Sequence, residues 1–272
     1  MKFAVSTASL FGRDYTEDAL LRIADMGYRR AEVFLEGNME YDLGFIETLK
    51  AIQDEKGMEI TSVHPLTTQY EPQLFSSHIR AYTPAERDYR LVLEGAKRLS
   101  APYYVMHGPM KLKRGAKANF AALGPQLQRL GDIAKEYGVM LTIENVHWCM
   151  VSDLACLKGI DPYVDGKTVG YTFDYKQAVQ AGEDPVEYLK IMGDKLKHVH
   201  ICGAVLDGDE VRTCMPHGDK AQMQRLFKQL KAMDYTGTVV LEVYSRNYRD
   251  YDELKLGCDA IAAMVEGSGN IF

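Results

Sequence analysis

The chain has 272 residues, 46% hydrophobic and 26% charged, a composition typical of soluble globular proteins and enough length for one large α/β barrel or two small domains. A formal net charge of −6 argues against nucleic acid or an anionic membrane surface as partner. No apolar run approaches the roughly 18 residues of a membrane span, and Arg13 and Asp14 come too early for a secretory leader, so the expected location is cytoplasmic.

In chain order, short β-rich runs alternate eight times with longer amphipathic ones. Strands are expected at residues 2–9, 30–35, 59–64, 103–107, 140–145, 169–174, 198–201 and 238–243. They are too short and too apolar for a half-exposed meander, which favours parallel strands covered by helices. Thr83-Pro84-Ala85-Glu86 sets an N-cap, a proline and a capping-box glutamate in order, and Asp184-Pro185-Val186-Glu187 repeats the device; both predict helix starts. Between 118 and 135, Phe120, Leu123, Leu127, Leu130, Ile133 and Ala134 recur at helical spacing before Gly138 stops the helix. A short helix is expected over 153–157, and Asp219 is expected to cap a helix whose apolar face is Met223, Leu226, Phe227 and Leu230. Repeated βα units without a linker or low-complexity tract predict one domain over 1–272, a (β/α)8 TIM barrel or, failing that, a doubly wound sheet. The five cysteines, an odd number with no CxxC pair, read as reduced thiols, with Cys202 the one placed to line a site.

The chemistry concentrates at strand ends. In VMLTIENVHW (139–148) an apolar run ends in Glu144, Asn145 and His147, and a buried carboxylate needs a partner. VGYTFD delivers Asp174, LKHVH delivers His200 and TVVLE delivers Glu242 in the same way. In a barrel all strand C-termini face one mouth, so these four would converge. Singly, each acid fits a helix N-cap or an ion pair just as well. Together, three carboxylates and one imidazole call for a divalent cation of the manganese, magnesium, cobalt, iron or zinc group. His64 and His107 end strands three and four similarly and are either satisfied mouth histidines or contacts to substrate or a second metal. His198 shares the face of His200 one layer deeper and reads as structural. Glu32 is expected to reach the mouth or a buried partner and Glu36 to be solvated. Asn145 points to the opposite face from Glu144, while His147 and Trp148 would shape the mouth. Lys111, Lys113 and Arg114 form a basic loop that is solvated or attracts phosphate.

LTIEN at 141–145, TFD ending at 174, KHVHI at 197–201 and GTVVLEV at 237–243, with SVHP and VMHG, resemble the xylose isomerase-like barrel superfamily and its sugar phosphate isomerase/epimerase branch. The resemblance runs over nearly the whole chain. It implies a sugar or cyclitol isomerase or epimerase with one divalent metal held by Glu144, Asp174, His200 and Glu242. Glu144 and Glu242 would form the acid/base pair that passes a proton beside a carbonyl through an enediolate. His64, His107, Gln177 and Arg212 are the expected substrate contacts, with a small carbohydrate as partner; a homo-oligomer is compatible with the sequence. Departures lie at Gln177, where the family often has histidine, and at Cys202-Gly203, where it commonly has Lys-Asp. A dehydratase of the inosose or dehydroshikimate type is the alternative. A phosphodiesterase resembling AP endonucleases is disfavoured by Gln177 and the acidic balance.

Overall fold

The structure is a computed structural model in which residues 1–111, 118–208 and 210–267 are described. Eight parallel strands close into a barrel: β1 (Lys2–Ser6), β2 (Arg30–Leu35), β3 (Glu59–Pro65), β4 (Tyr103–Met106), β5 (Met140–Glu144), β6 (Val169–Asp174), β7 (Leu196–Ile201) and, after an inserted hairpin, β10 (Thr238–Leu241). The hairpin is β8 (Gly203–Asp207) with β9 (Glu210–Cys214), paired antiparallel outside the barrel. β10 lies between β7 and β1 and closes the ring. The strands are buried on both faces because helices cover the outside: α1 (Thr16–Asp25), α2 (Leu43–Lys56), α3 (Ile79–Arg98), α4 (Phe120–Glu136), α5 (Leu154–Ile160), α6 (Tyr175–Gln180), α7 (Pro185–Met192), α8 (Lys220–Ala232) and α9 (Tyr251–Glu266). None of the described helices is long and apolar enough to cross a membrane.

Most sequence signals act as expected. Asp184 caps α7 through Val186 N–H with Pro185 at the first helical position, and Asp153 caps α5 through Cys156 N–H. Gly138, at φ +75°, turns the chain out of α4 into β5. Three expectations change. α3 starts at Ile79, a turn earlier than Thr83, and carries Pro84 inside it. Arg80 and Pro84 lie on the exposed face, so the carbonyl that the proline leaves unpaired meets water while Tyr82 gains burial. β1 ends at Ser6, three residues early, because the Ser6 side chain accepts from Ala8 N–H and starts a 3-10 turn. Asp219 sits at the head of α8 but does not cap it; its carboxylate accepts from Tyr175 Oη–H at 2.6 Å and Ala204 N–H at 3.2 Å, tying α6 to β8.

Candidate active site

Side chains on or directly after seven of the eight barrel strands meet inside the mouth in two layers. The lower layer is sealed. Glu32 Oε2 accepts from Ser62 Oγ at 2.7 Å, His198 Nε2 at 3.1 Å and His200 Nε2 at 3.0 Å, and all four residues are buried. Strand register builds this contact, since Glu32 pairs with Ser62 across β2 and β3. Burial works against the Glu32 carboxylate, but His200 and His198 outweigh it and hold Glu32 well below the usual carboxylate range. Burial keeps His198 below the usual imidazole range. Glu32 thus has the buried partners expected of it, whereas Glu36 is half-buried and pushed up to about 7 by burial and Glu40.

The upper layer is organised around the other nitrogen of His200. Nδ1 is buried and without a hydrogen-bond partner among the described residues. It lies 3.6 Å from Glu242 Oε2, 3.7 Å from Glu144 Oε1 and 4.0 Å from Asp174 Oδ2. Asp174 pairs directly with His200 across β6 and β7, and Val240 pairs with His200 on the other side, so Glu242, two residues on, returns to the same face. Donor atoms about 2.1 Å from one cation stand roughly 3 to 4 Å apart; Asp174, His200 and Glu242 offer atoms all within 4.8 Å of one another, as do His64, Glu144 and His200, so two groups sharing His200 could each hold an ion. Glu32 on Nε2 would orient the imidazole were Nδ1 to hold an ion. Burial disfavours the His200 imidazolium, but Glu32 and Glu242 outweigh burial and hold it well above the usual range. Its proton then faces the carboxylates where a cation would stand.

A residue that sequence reasoning passed over lies beside these ligands. Lys176 Nζ donates to Asp174 Oδ2 and, at 2.5 Å, to Glu242 Oε2. Its side chain is only 4% exposed. Burial works against the ammonium, but Asp174 and Glu242 hold it well above the usual lysine range. Asp174 has its other oxygen committed, because Oδ1 caps α6 by accepting from Gln177 N–H at 2.8 Å. Asp174 is pushed up to about 7 by burial, with Glu144 and Glu242 adding to the rise and Lys176 opposing it. Despite its burial, Glu242 is drawn down by Lys176 and His200. The signal that could have found Lys176 is its place in the first turn of a helix, where the macrodipole disfavours a cation.

The histidines ending β3 and β4 join the cluster. His64 Nε2 stands 3.7 Å from Glu144 Oε2 and 3.9 Å from Glu242 Oε1; His107 Nε2 stands 3.0 Å from Glu144 Oε2. Burial, then His107, pushes His64 down to about 4, leaving it neutral near pH 7. His107 is raised because Glu144 outweighs its burial, and Glu144 is held well below the carboxylate range by His107 and His200 against burial. Behind His107 lies a second residue the sequence did not flag: buried Glu71, which accepts from Tyr104 Oη–H at 2.9 Å and His107 N–H at 3.1 Å and is pushed up to about 7 by burial.

Asn145 pins Asp174 from the neighbouring strand, its Nδ2 donating to Asp174 O at 2.9 Å and its Oδ1 accepting from Asp174 N–H at 2.8 Å. Gln177 Oε1 accepts from His147 N–H and Nδ1–H. Trp148 packs edge-to-face on His107 with centroids 5.5 Å apart, as expected of a mouth residue. Arg212 is not brought to the cluster; it lies exposed on β9, 3.5 Å from Asp207. Lys111 Nζ donates to Ser152 Oγ, and Lys113 and Arg114 fall outside the described residues. All five thiols are free, and burial pushes that of Cys202 up to about 12.

Among known proteins, an uncharacterized protein of Mycobacterium leprae is 24% identical over 277 residues, covering 93% of this chain and 92% of that one. A solved D-tagatose 3-epimerase-like protein superposes with a TM-score of 0.79 at 22% identity, covering 99% of this chain and all of that one. The IOLI protein, solved with a zinc atom bound, superposes at 0.78 with 17% identity and covers both chains entirely. The sequence profile of the xylose isomerase-like TIM barrel family matches residues 20–264. With the closed eight-stranded barrel, this match establishes that the chain belongs to the xylose isomerase-like TIM barrel family.

Proposed function

We propose that this protein is a divalent-metal-dependent isomerase or epimerase of a small carbohydrate, a sugar, sugar phosphate or cyclitol, that transfers a proton beside a carbonyl. The observation carrying this reading is that Glu144 and Glu242 both lie within 4 Å of the same two nitrogens, His64 Nε2 and His200 Nδ1. Two carboxylates held ionised around one small space are the equipment for removing a proton and returning it elsewhere. Glu144 is nearly inaccessible and Glu242 keeps 13% side-chain exposure, so Glu242 is the one that opens toward entering substrate.

Glu144, Asp174, His200 and Glu242 would hold the metal, of the manganese, magnesium, cobalt, iron or zinc group. When bound it would polarise the carbonyl and acidify the adjacent C–H. The zinc atom in the IOLI protein and the epimerase-like neighbour support the reading. Neutral His64, whose Nδ1 has no partner among the described residues, would supply a contact for a substrate oxygen, while His107, engaged by Thr67 Oγ1 and Glu144, would hold Glu144 in place; Phe34 and Trp148, edge-to-face on these rings, wall the site against water. Gln177 would act on substrate through the loop it holds at His147.

The test is a proton-exchange screen in deuterated water over ketoses, inososes and their phosphates, with metal-supplemented protein. Deuterium appearing beside a carbonyl, without a new ultraviolet-absorbing product, is expected. A conjugated, absorbing product would instead assign a dehydratase, and no exchange on any candidate would sink the proposal.

A further inference from the structure

We propose that Lys176 and a divalent cation are alternative occupants of one pair of oxygens, Asp174 Oδ2 and Glu242 Oε2, so that metal enters this site only by displacing an internal ammonium. The inference builds on the metal-dependent reading and adds a restriction to it. These two atoms are the ones that face His200 Nδ1 at 4.0 and 3.6 Å, and they are also the ones to which Lys176 donates. Asp174 has no spare oxygen, since Oδ1 is bound to Gln177 N–H in the cap of α6. A divalent ion and an ammonium sharing the same oxygens in a buried site repel each other strongly. Nor can Lys176 reach bulk water where it stands: it is buried in the first turn of α6, with the ring of Tyr244, 38% exposed, centred 5.7 Å from Nζ. That ring offers the displaced ammonium a second position against an aromatic face.

The consequence concerns affinity. With Lys176 in place, the carboxylates are compensated without metal and divalent ions bind weakly; without it, the same oxygens demand a cation. The experiment uses Mn²⁺ alone as probe, in calorimetric titrations and thermal melts of chelator-treated wild type, Lys176→Met and Lys111→Met. Lys111→Met also removes an ammonium, but one that touches neither oxygen. Lys176→Met is expected to bind Mn²⁺ about tenfold tighter or more than wild type, with a melting temperature far more dependent on Mn²⁺. Chelation is expected to leave the wild-type melt almost unmoved. Equal affinities for wild type and Lys176→Met, or the same tightening in Lys111→Met, would overturn the proposal. If Lys176→Met does not fold, the wild type alone decides: a loss of more than about 5 °C on chelation would show a tightly held resident metal and overturn it. None of these readouts uses substrate. Absence of proton exchange with the affinities as stated refutes only the isomerase reading, and unchanged affinities refute only the competition.

Discussion

The two nitrogens of His200 divide the barrel mouth into regions built on opposite principles. Below Nε2, the acceptor is one carboxylate, Glu32, and three neighbours donate to it. Above Nδ1, three carboxylates crowd an imidazole atom that has no hydrogen-bond partner among the described residues. Exposure is confined to the upper region, where the Glu242 and His107 side chains keep 13% and 16%, and the larger difference is in the number of carboxylates. One buried carboxylate between two histidines ties strands together, although its Oε1 has no partner among the described residues; three around one imidazole, two of them met by Lys176, make a site that draws cations.

The largest effect should come from removing charge in the upper region while leaving shape. Glu144→Gln and Glu242→Gln are each expected to lower turnover on the true substrate by about 10³-fold or more. Steady-state kinetics checks this; near-normal rates in either variant would remove that residue from the acid/base pair.

In the lower region the same chemical change should act on stability instead. Glu32→Gln removes the one anion shared by His198 and His200, and breaking a buried charged contact costs about 3 kcal/mol or more. Because the folded-state pKa of Glu32 is depressed, its contribution is present above the unfolded value near 4.5 and is lost as pH falls through the folded value. Denaturant melts at pH 7 should therefore show the loss in full, and the gap between wild type and variant should narrow in acid. A variant as stable as wild type at pH 7 would erase the distinction between the two regions.

The barrel and the convergence of Glu144, Asp174 and Glu242 on His200 were legible because β5, β6, β7 and β10 are buried on both faces, which leaves unbroken apolar runs that make a terminal acid or histidine conspicuous. Glu32 was legible as a residue in need of a partner, but that partner is 166 residues away and emerges only when the ring closes. Lys176 was not legible, since a lysine after a strand-end aspartate ordinarily belongs to a solvated helix face; here Asp174 and Glu242 hold its ammonium inward. The β8–β9 hairpin was missed although Asp207-Gly208 is a hairpin signal, because each flanking strand has only five residues and neither runs apolar to its end. Glu71 hides in an irregular segment, and its importance depends on lying beneath His107.

Glu71 supplies a smaller and oppositely signed pH effect. Its folded pKa is raised to about 7 by burial, so its contribution is present below the unfolded value near 4.5 and is lost as pH rises through about 7. That shift corresponds to at most about 3 kcal/mol. Wild type should lose stability between pH 5 and 8, and Glu71→Gln, which keeps an acceptor for Tyr104, should lose less. Parallel stability profiles for the two proteins would mean that Glu71 stays ionised and belongs with Glu32 as a satisfied carboxylate.

The smallest effect is expected outside both regions. Arg212, a substrate contact on sequence grounds, lies 67% exposed on β9 beside Asp207, itself 71% exposed. An ion pair so open to water contributes about 0 to 0.5 kcal/mol. Arg212→Ala should leave the melting temperature unchanged and alter KM less than about twofold for a neutral sugar, where the charge has nothing to meet. A KM that rises tenfold or more with a phosphorylated substrate, and only then, would bring the hairpin into the site and extend the upper region beyond the barrel strands.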